Sequence, residues 1–390
     1  MATLNTMREE VLSLPALIRA QVPVIDERVR AAFNPADLKS LRQVILTGCG
    51  DSYYAGLGSR FFFNKLCGLP AQGINAMDAG RYILFDIHPG LAKNTLVMAT
   101  SVSGRVSRTV EAMRISREKG GLCTAITGNP DGPLAQNAAR MIDCTIPSLP
   151  NPENEPVPGV RSYRMTLIVH FLTAIAIAEA NGSISRADGD ALRARITQTA
   201  DAIEETLSTG EAEMKDLASA LAAEDYFLFV GHGPHRAAAE FSAAKVIEAA
   251  GLTAYGQDTE EWAHIQHYEN ARPSTPTFLF CGGHRGHGLV RHMAPYVKGT
   301  GRQTFGIFAE NCAPDHPGLD RVFTVKGDTP ELLTPMVYPV LPELFAAYLA
   351  EALGVRFFRK DDPAYKDEDL NRIRGDTIAA TEDLQKASGG

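Results

Sequence analysis

The sequence predicts two doubly wound, parallel-sheet α/β domains in tandem, on two observations. Short apolar runs alternate with helical stretches through both halves of the 390-residue chain, the pattern of parallel strands joined by crossover helices. In addition, one strand–turn–helix signal occurs twice, about half a chain apart. The copies are Val44-Ile45-Leu46-Thr47-Gly48-Cys49-Gly50-Asp51-Ser52 and Phe227-Leu228-Phe229-Val230-Gly231-His232-Gly233. In each, glycines let the backbone turn sharply from a buried strand into a helix. Only the first copy is followed by a serine-rich second loop, Ser101-Val102-Ser103-Gly104. The matching stretch of the other half reads Phe280-Cys281-Gly282-Gly283-His284.

Taken in order, residues 7–32 read as helical. Gln43–Thr47 is a strand, about 52–66 a helix, and Gly73–Ala76 a short strand. Strand Thr95–Thr100, a helix over about 106–119 and strand Leu122–Thr127 follow. Asn129-Pro130-Asp131-Gly132 is a turn, and Met141–Ile146 is another strand. The proline-rich segment Pro147–Pro158 is a loop leading into a long helix that Asn181-Gly182 ends. A polar helical stretch then runs to about Ala223. The alternation restarts with Tyr226–Val230, a helix to Ala250, Thr277–Cys281, a helix over about 287–298 and Thr304–Phe308. The expected parts are an N-terminal helical segment (1–34), a first domain (35–182), a helical connector (183–224), a second domain (225–359) and a charged tail (360–390). In such sheets ligands bind at the carboxyl ends of the strands.

A net charge of −8 argues against nucleic acid, which asks for a basic face. The six cysteines are scattered without a CxxC pair, so buried thiols are expected rather than disulfides or zinc, and with them a cytoplasmic location. Arg8, Glu9 and Glu10 precede any long apolar run, unlike a secretory signal. The apolar stretch Met165–Ala178 is too short to span a bilayer and contains His170; it reads as a buried helix, so no membrane partner is expected.

Hydroxyls and amides at Ser101-Val102-Ser103-Gly104 are suited to an anion without fixed positive charge, although a serine-capped helix would look the same. No GxGxxG with an acidic residue about twenty positions on occurs, which sets a dinucleotide aside. Lys245 and Glu248 share one helix face; an exposed pair of this kind is worth only roughly 0.2–0.5 kcal/mol. His264 follows Glu248 by sixteen residues, and a carboxylate with an imidazole suits proton transfer. His284, His287 and His292 offer metal-ligand chemistry, but Gly283 and Gly286 make a loop the preferred reading, and no metal is expected.

Together these residues resemble the double-domain members of the SIS (sugar isomerase) family, flavodoxin-like in each half. They are similar to the isomerase domain of glucosamine-6-phosphate synthase and to fructosamine-6-phosphate deglycases. The resemblance runs from Met7-Arg8-Glu9-Glu10-Val11, with Pro15 following, to the tail. It implies that Ser52, Ser101 and Ser103, with Gly50 and Asp51 in the first loop, hold a sugar phosphate. It also implies that Glu248 shuttles a proton between C1 and C2 of the open sugar, that Lys245 orients or polarises, and that His264 opens the ring from the neighbouring subunit of a homodimer. No cofactor is then needed, because the neighbouring carbonyl or imine acidifies the proton.

The departures from the family pattern concern the head group and the tail. Asp51 stands for a Thr, Val102 for a Gln, Arg105 for a Glu and Val106 for a Thr. An Asp beside a dianion is repulsive, so Arg105 is expected to offset it or to meet the anion with its planar fork. Arg161, followed by Ser162 next to the implied substrate position, offers a second fork. The head group is accordingly a phosphate held differently or another anion such as a sulfonate. Arg374 aligns with the family's catalytic Lys, and a guanidinium neither titrates usefully nor readily forms an imine; Lys366 is the alternative. His264 is followed by Ile265-Gln266 where the family has Gly-Pro. Two reactions stay open, aldose–ketose isomerisation and deglycation, and a non-catalytic sugar-phosphate sensor is the rival class.

Overall fold

The computed structural model describes residues 5–152, 154–269, 274–283, 285–312, 317–365 and 377–388. It contains two five-stranded sheets in which every pairing is parallel. The strands are β1 (Gln43–Gly48), β2 (Ala71–Asn75), β3 (Thr95–Thr100), β4 (Leu122–Thr127), β5 (Arg140–Asp143), β6 (Tyr226–Gly231), β7 (Thr253–Asp258), β8 (Pro276–Cys281), β9 (Gln303–Ala309) and β10 (Arg321–Val325). The first sheet has the order β2-β1-β3-β4-β5 and the second β10-β9-β8-β6-β7. Read from the other edge, the second order repeats the first. Two doubly wound domains are therefore present, each with a switch point beside its first strand.

The chain separates into two compact units. One holds residues 20–147 and 162–196 with the C-terminal stretch 377–388; the other holds 5–19, 148–161 and 197–365. In the first unit β3 is buried along its whole length. Ile45, Leu84, Val97 and Ile115 form one core cluster, to which Leu384 adds; Ala99, Val110, Met113 and Leu134 form another, joined by Ile378. In the second unit Phe229 stacks on Phe278 at 4.8 Å between ring centres, and Phe345 of helix Val340–Leu353 packs on Phe278 at 5.4 Å.

Three expectations are corrected. The strand expected over Met141–Ile146 runs Arg140–Asp143. Its end is set by its neighbour: β4 pairs with it only to Thr127↔Asp143. The apolar stretch Met165–Ala178 belongs to a longer helix, Arg161–Asn181, whose 21 residues are long and apolar enough to cross a membrane by length and composition. Its most apolar window is 83% buried in the fold, as core helices are; helix 331–353 passes the same test with 94% buried. All six thiols are free, yet Cys49 is exposed at the tip of its turn while the other five are buried.

Candidate functional site

The two glycine turns share one backbone. Gly50 has φ 55° and ψ −126° at the start of helix Asp51–Cys67, and Gly233 has φ 53° and ψ −128° at the start of helix Pro234–Ala250. Only glycine adopts a left-handed φ of this kind without a steric cost. Neither position caps its helix with a side chain; in the second helix Pro234 has no amide hydrogen, and the amides of His235 and Arg236 donate to the carbonyls of His232 and Gly233.

In the first unit the turn and the serine loop meet. Gly48 pairs with Thr100, and a Cβ on Gly48 would lie 2.5 Å from Ser52 Cβ and 2.9 Å from the Thr100 carbonyl. Ser52 and the residues after Thr100 thus stand side by side at the carboxyl ends of β1 and β3. The loop is held from below by β4: the Gly128 amide donates to Val102 O at 3.1 Å, and Asn129 Nδ2 donates to Ser103 O at 3.0 Å. Ser101 is buried, its hydroxyl 3.4 Å from that of Ser103, whose oxygen also accepts from the Arg105 amide. Ser103 and Arg105 face solvent. Asp51 sits in the helix's first turn, where its own carboxylate already benefits from the helix dipole. Ser162 occupies the second position of helix Arg161–Asn181.

In the second unit Lys245 is fully buried with its ring-facing ammonium 4.7 Å from the centre of Phe241. It donates to Glu248 Oε2 at 2.5 Å and to the Gly159 carbonyl at 3.2 Å. This is not the surface pair that spacing alone allows: one partner is enclosed, and Glu248 keeps 31% of its side chain in solvent. A buried ammonium has to be paired, which ties the two side chains into one arrangement.

Glu10, part of the opening motif Met7-Arg8-Glu9-Glu10-Val11, belongs to the same cluster. Its Oε2 accepts from the amides of Val160 and Arg161, both at 3.4 Å. Burial pushes this carboxyl above its usual range, against the pull of those amides and of the Arg161 and Lys245 charges. Arg161 is buried, and burial lowers its guanidinium although Glu10 works the other way. Glu10 therefore holds the segment 159–161, and that segment holds Lys245.

His264 stands apart. It ends the short helix Thr259–His264, with 75% of its side chain exposed and Nε2 3.5 Å from Glu260 Oε2. Glu248 lies two residues before the end of helix Pro234–Ala250, at the amino edge of the second sheet. β7 then runs to the carboxyl edge, where the helix bearing His264 begins. Six strand residues span about 20 Å, so within one chain the two groups flank opposite ends of β7. Arg374, Lys366 and His284 lie outside the described residues; His287 and His292 are on helix His287–Gly299, and no group of metal-ligating side chains occurs among the described residues.

Comparison with known proteins finds a family model for the first half of the chain. The SIS domain matches residues 37–177, the stretch that carries both loops. A SIS domain is thus present in the first half of the chain. The chain is 27% identical over 330 residues to a glutamine–fructose-6-phosphate aminotransferase (isomerizing) of Symbiobacterium thermophilum, covering 82% of this chain and 51% of that protein. It spans about half the length of the curated relatives it matches. Among solved structures it is similar to the C-terminal domain of glucosamine-fructose-6-phosphate aminotransferase from Francisella tularensis, with TM-score 0.75, 15% identity, and 89% and 96% of the two chains covered. It is also similar to glucosamine-6-phosphate deaminase from Thermotoga maritima, with TM-score 0.62, 14% identity, and 92% and 98% covered. The tandem α/β fold is thus shared with these solved structures.

Proposed function

We propose that this protein moves a proton between C1 and C2 of an open-chain, anionic sugar, as a phosphosugar aldose–ketose isomerase or as a fructosamine-phosphate deglycase. The observation that carries the reading is the Lys245–Glu248 pair: an enclosed ammonium at 2.5 Å from a carboxylate that still reaches solvent. The half-open carboxylate takes the proton from one carbon and returns it to the next. Lys245 orients it, and polarises the carbonyl or imine oxygen as charge builds there. Ser52, Ser101 and Ser103 hold the head group, which Arg105 meets with its fork if it is a sulfonate or an unusually placed phosphate. The names of the similar proteins, which act on fructose 6-phosphate or glucosamine 6-phosphate, favour phosphate. His264 opens the ring in the site of a second copy of the chain, because its own Glu248 is a strand's length away.

The test is turnover in deuterated water with a panel of sugar phosphates and fructosamine phosphates, read by mass spectrometry. Deuterium at C1 or C2 of the product is expected from the wild type, and Glu248→Gln should lower kcat by roughly 10²–10⁴. Near-normal turnover by that variant removes Glu248 from the chemistry. A free amine among the products marks deglycation, and its absence marks isomerisation.

A further inference from the structure

The second sheet has its own crevice at the carboxyl ends of β8, β9 and β10, of about 310 Å³, lined by Gly282, Glu310, Asn311, Asp328, Thr329 and Tyr338 among others. That is the size of a site for one small ligand, in the position where doubly wound sheets bind ligands. Two hydroxyls line it, those of Thr329 and Tyr338. The Thr329 oxygen is buried and has no hydrogen-bond partner among the described residues. Tyr338 is 1% exposed. Behind Tyr338 stands the fully buried His235, 4.7 Å between ring centres, with neither ring nitrogen hydrogen-bonded among the described residues. Buried polar groups are seldom left unpaired, so this much unused capacity marks a place built to be filled.

The loop after β8 explains how the crevice differs from its counterpart in the first unit. A Cβ on Gly282 would lie 2.0 Å from the Tyr338 hydroxyl, one on Gly283 2.3 Å from Glu331 Oε1, and one on Gly286 1.6 Å from His232 Nε2. Each glycine makes room for a polar side chain, where the first unit presents serine hydroxyls. The charges that face the crevice do not suit an anion. Glu310 and Asp328 line it, Glu331 stands beside Gly283, and the nearby cations Lys326 and Arg285 are bound to Glu310 at 2.6 Å and Glu331 at 3.4 Å. Hydroxyls that donate and accept, an amide and carboxylate acceptors match the edges of a sugar without a phosphate.

We propose that this crevice is a second ligand site, which takes an uncharged polyhydroxyl compound such as a free hexose or hexitol, oriented by Tyr338 and Thr329. The experiment is isothermal titration of the full-length protein with glucose, fructose, sorbitol and glucose 6-phosphate, on wild type, Tyr338→Phe and Thr329→Val. Both variants keep the side-chain shape and remove one hydroxyl; circular dichroism checks their folding. The wild type should bind at least one uncharged probe, each variant should weaken that binding by roughly two- to tenfold, as for one neutral hydrogen bond, and the glucose 6-phosphate affinity should not change. Failure of all three uncharged probes to bind overturns the proposal, and so does equal binding by wild type and variants. Loss of glucose 6-phosphate binding in Tyr338→Phe overturns it too, by assigning the hydroxyl to a phosphosugar site. None of these readings depends on turnover, so they stand apart from the proton-shift reaction.

Discussion

Mixing two inactive variants tests the division of labour between Glu248 and His264. Along one chain these residues flank β7, about 20 Å apart by the rise of a strand, whereas proton transfer needs reach of about 3 Å. The exposed His264, with Ile265 and Tyr268 beside it at 63% and 81% exposure, is available to a second copy. Glu248→Gln and His264→Ala proteins should each be nearly inactive. If subunits of a twofold dimer exchange at random in an equal mixture, about half of the dimers are mixed. Each mixed dimer pairs one wild-type Glu248 with one wild-type His264 in a single site, so about a quarter of wild-type activity should return. The assay is product formation before and after an exchange step, with exchange itself followed by differently tagged subunits. Proven exchange without recovered activity would refute the shared site. Recovery with a linear dependence on one variant alone would show residual activity instead.

Three further outcomes follow from the same geometry. Glu10→Gln keeps an oxygen for the Val160 and Arg161 amides but removes a charge near Lys245. A carboxyl raised by burial adds stability only below its unfolded range and loses it as pH rises, so this variant should unfold at equal or higher urea near neutral pH while its pH–rate profile shifts; a loss of stability with an unchanged profile would reduce Glu10 to a helix cap. Arg105→Ala should weaken sugar-phosphate binding about tenfold to a hundredfold if its guanidinium meets the head group, and Ser103→Ala by less, as titration calorimetry would show. His170 and His235 are wholly enclosed, and burial lowers both to about 3. The unfolded chain therefore binds protons that the native one refuses, stability falls as pH drops below the unfolded range, and going from about pH 7.5 to about pH 5 should cost about 2 kcal/mol per histidine in urea melts. Native-state titration of either ring near pH 6.5 by NMR would contradict the burial argument.

The parts of this fold that are legible in the sequence are the ones whose physics is local. β1, β3 and β6 are covered on both faces, so they appear as unbroken apolar runs. β7 escapes because it is an edge strand with a half-exposed pattern, Thr253-Ala254-Tyr255-Gly256-Gln257-Asp258. Its Gly256 suggests a turn, but a Cβ there would lie 2.3 Å from Glu240 Cα, so the glycine serves a close helix crossing. The Lys245–Glu248 spacing shows a shared face but not burial, which depends on the Gly159 carbonyl. Glu10 reaches its amide partners across 150 residues. Its place in the opening motif was the available signal, and no spacing rule connects it to Arg161.

The two halves keep one backbone at their first turns, so their different equipment has to come from the second loop, and the sterics there are one-way. A serine loop like that of the first unit does not fit after β8, because any Cβ at Gly282 would fall 2.0 Å from the Tyr338 hydroxyl and 2.2 Å from its ring carbon. Tyr338 is itself buried against His235 and is not free to swing away. Gly282→Ala should therefore cost roughly 1–3 kcal/mol, the usual range for overpacking a filled site. Tyr338→Ala costs stability on its own by opening a cavity. Once the ring is gone, however, the added methyl has room, so Gly282→Ala should cost almost nothing in that background. The coupling read from urea unfolding of the four proteins in the cycle then equals most of the single-variant cost. Additive effects would mean that the glycine is kept for its backbone and not for the tyrosine, and the contrast between the two loops would lose its steric cause.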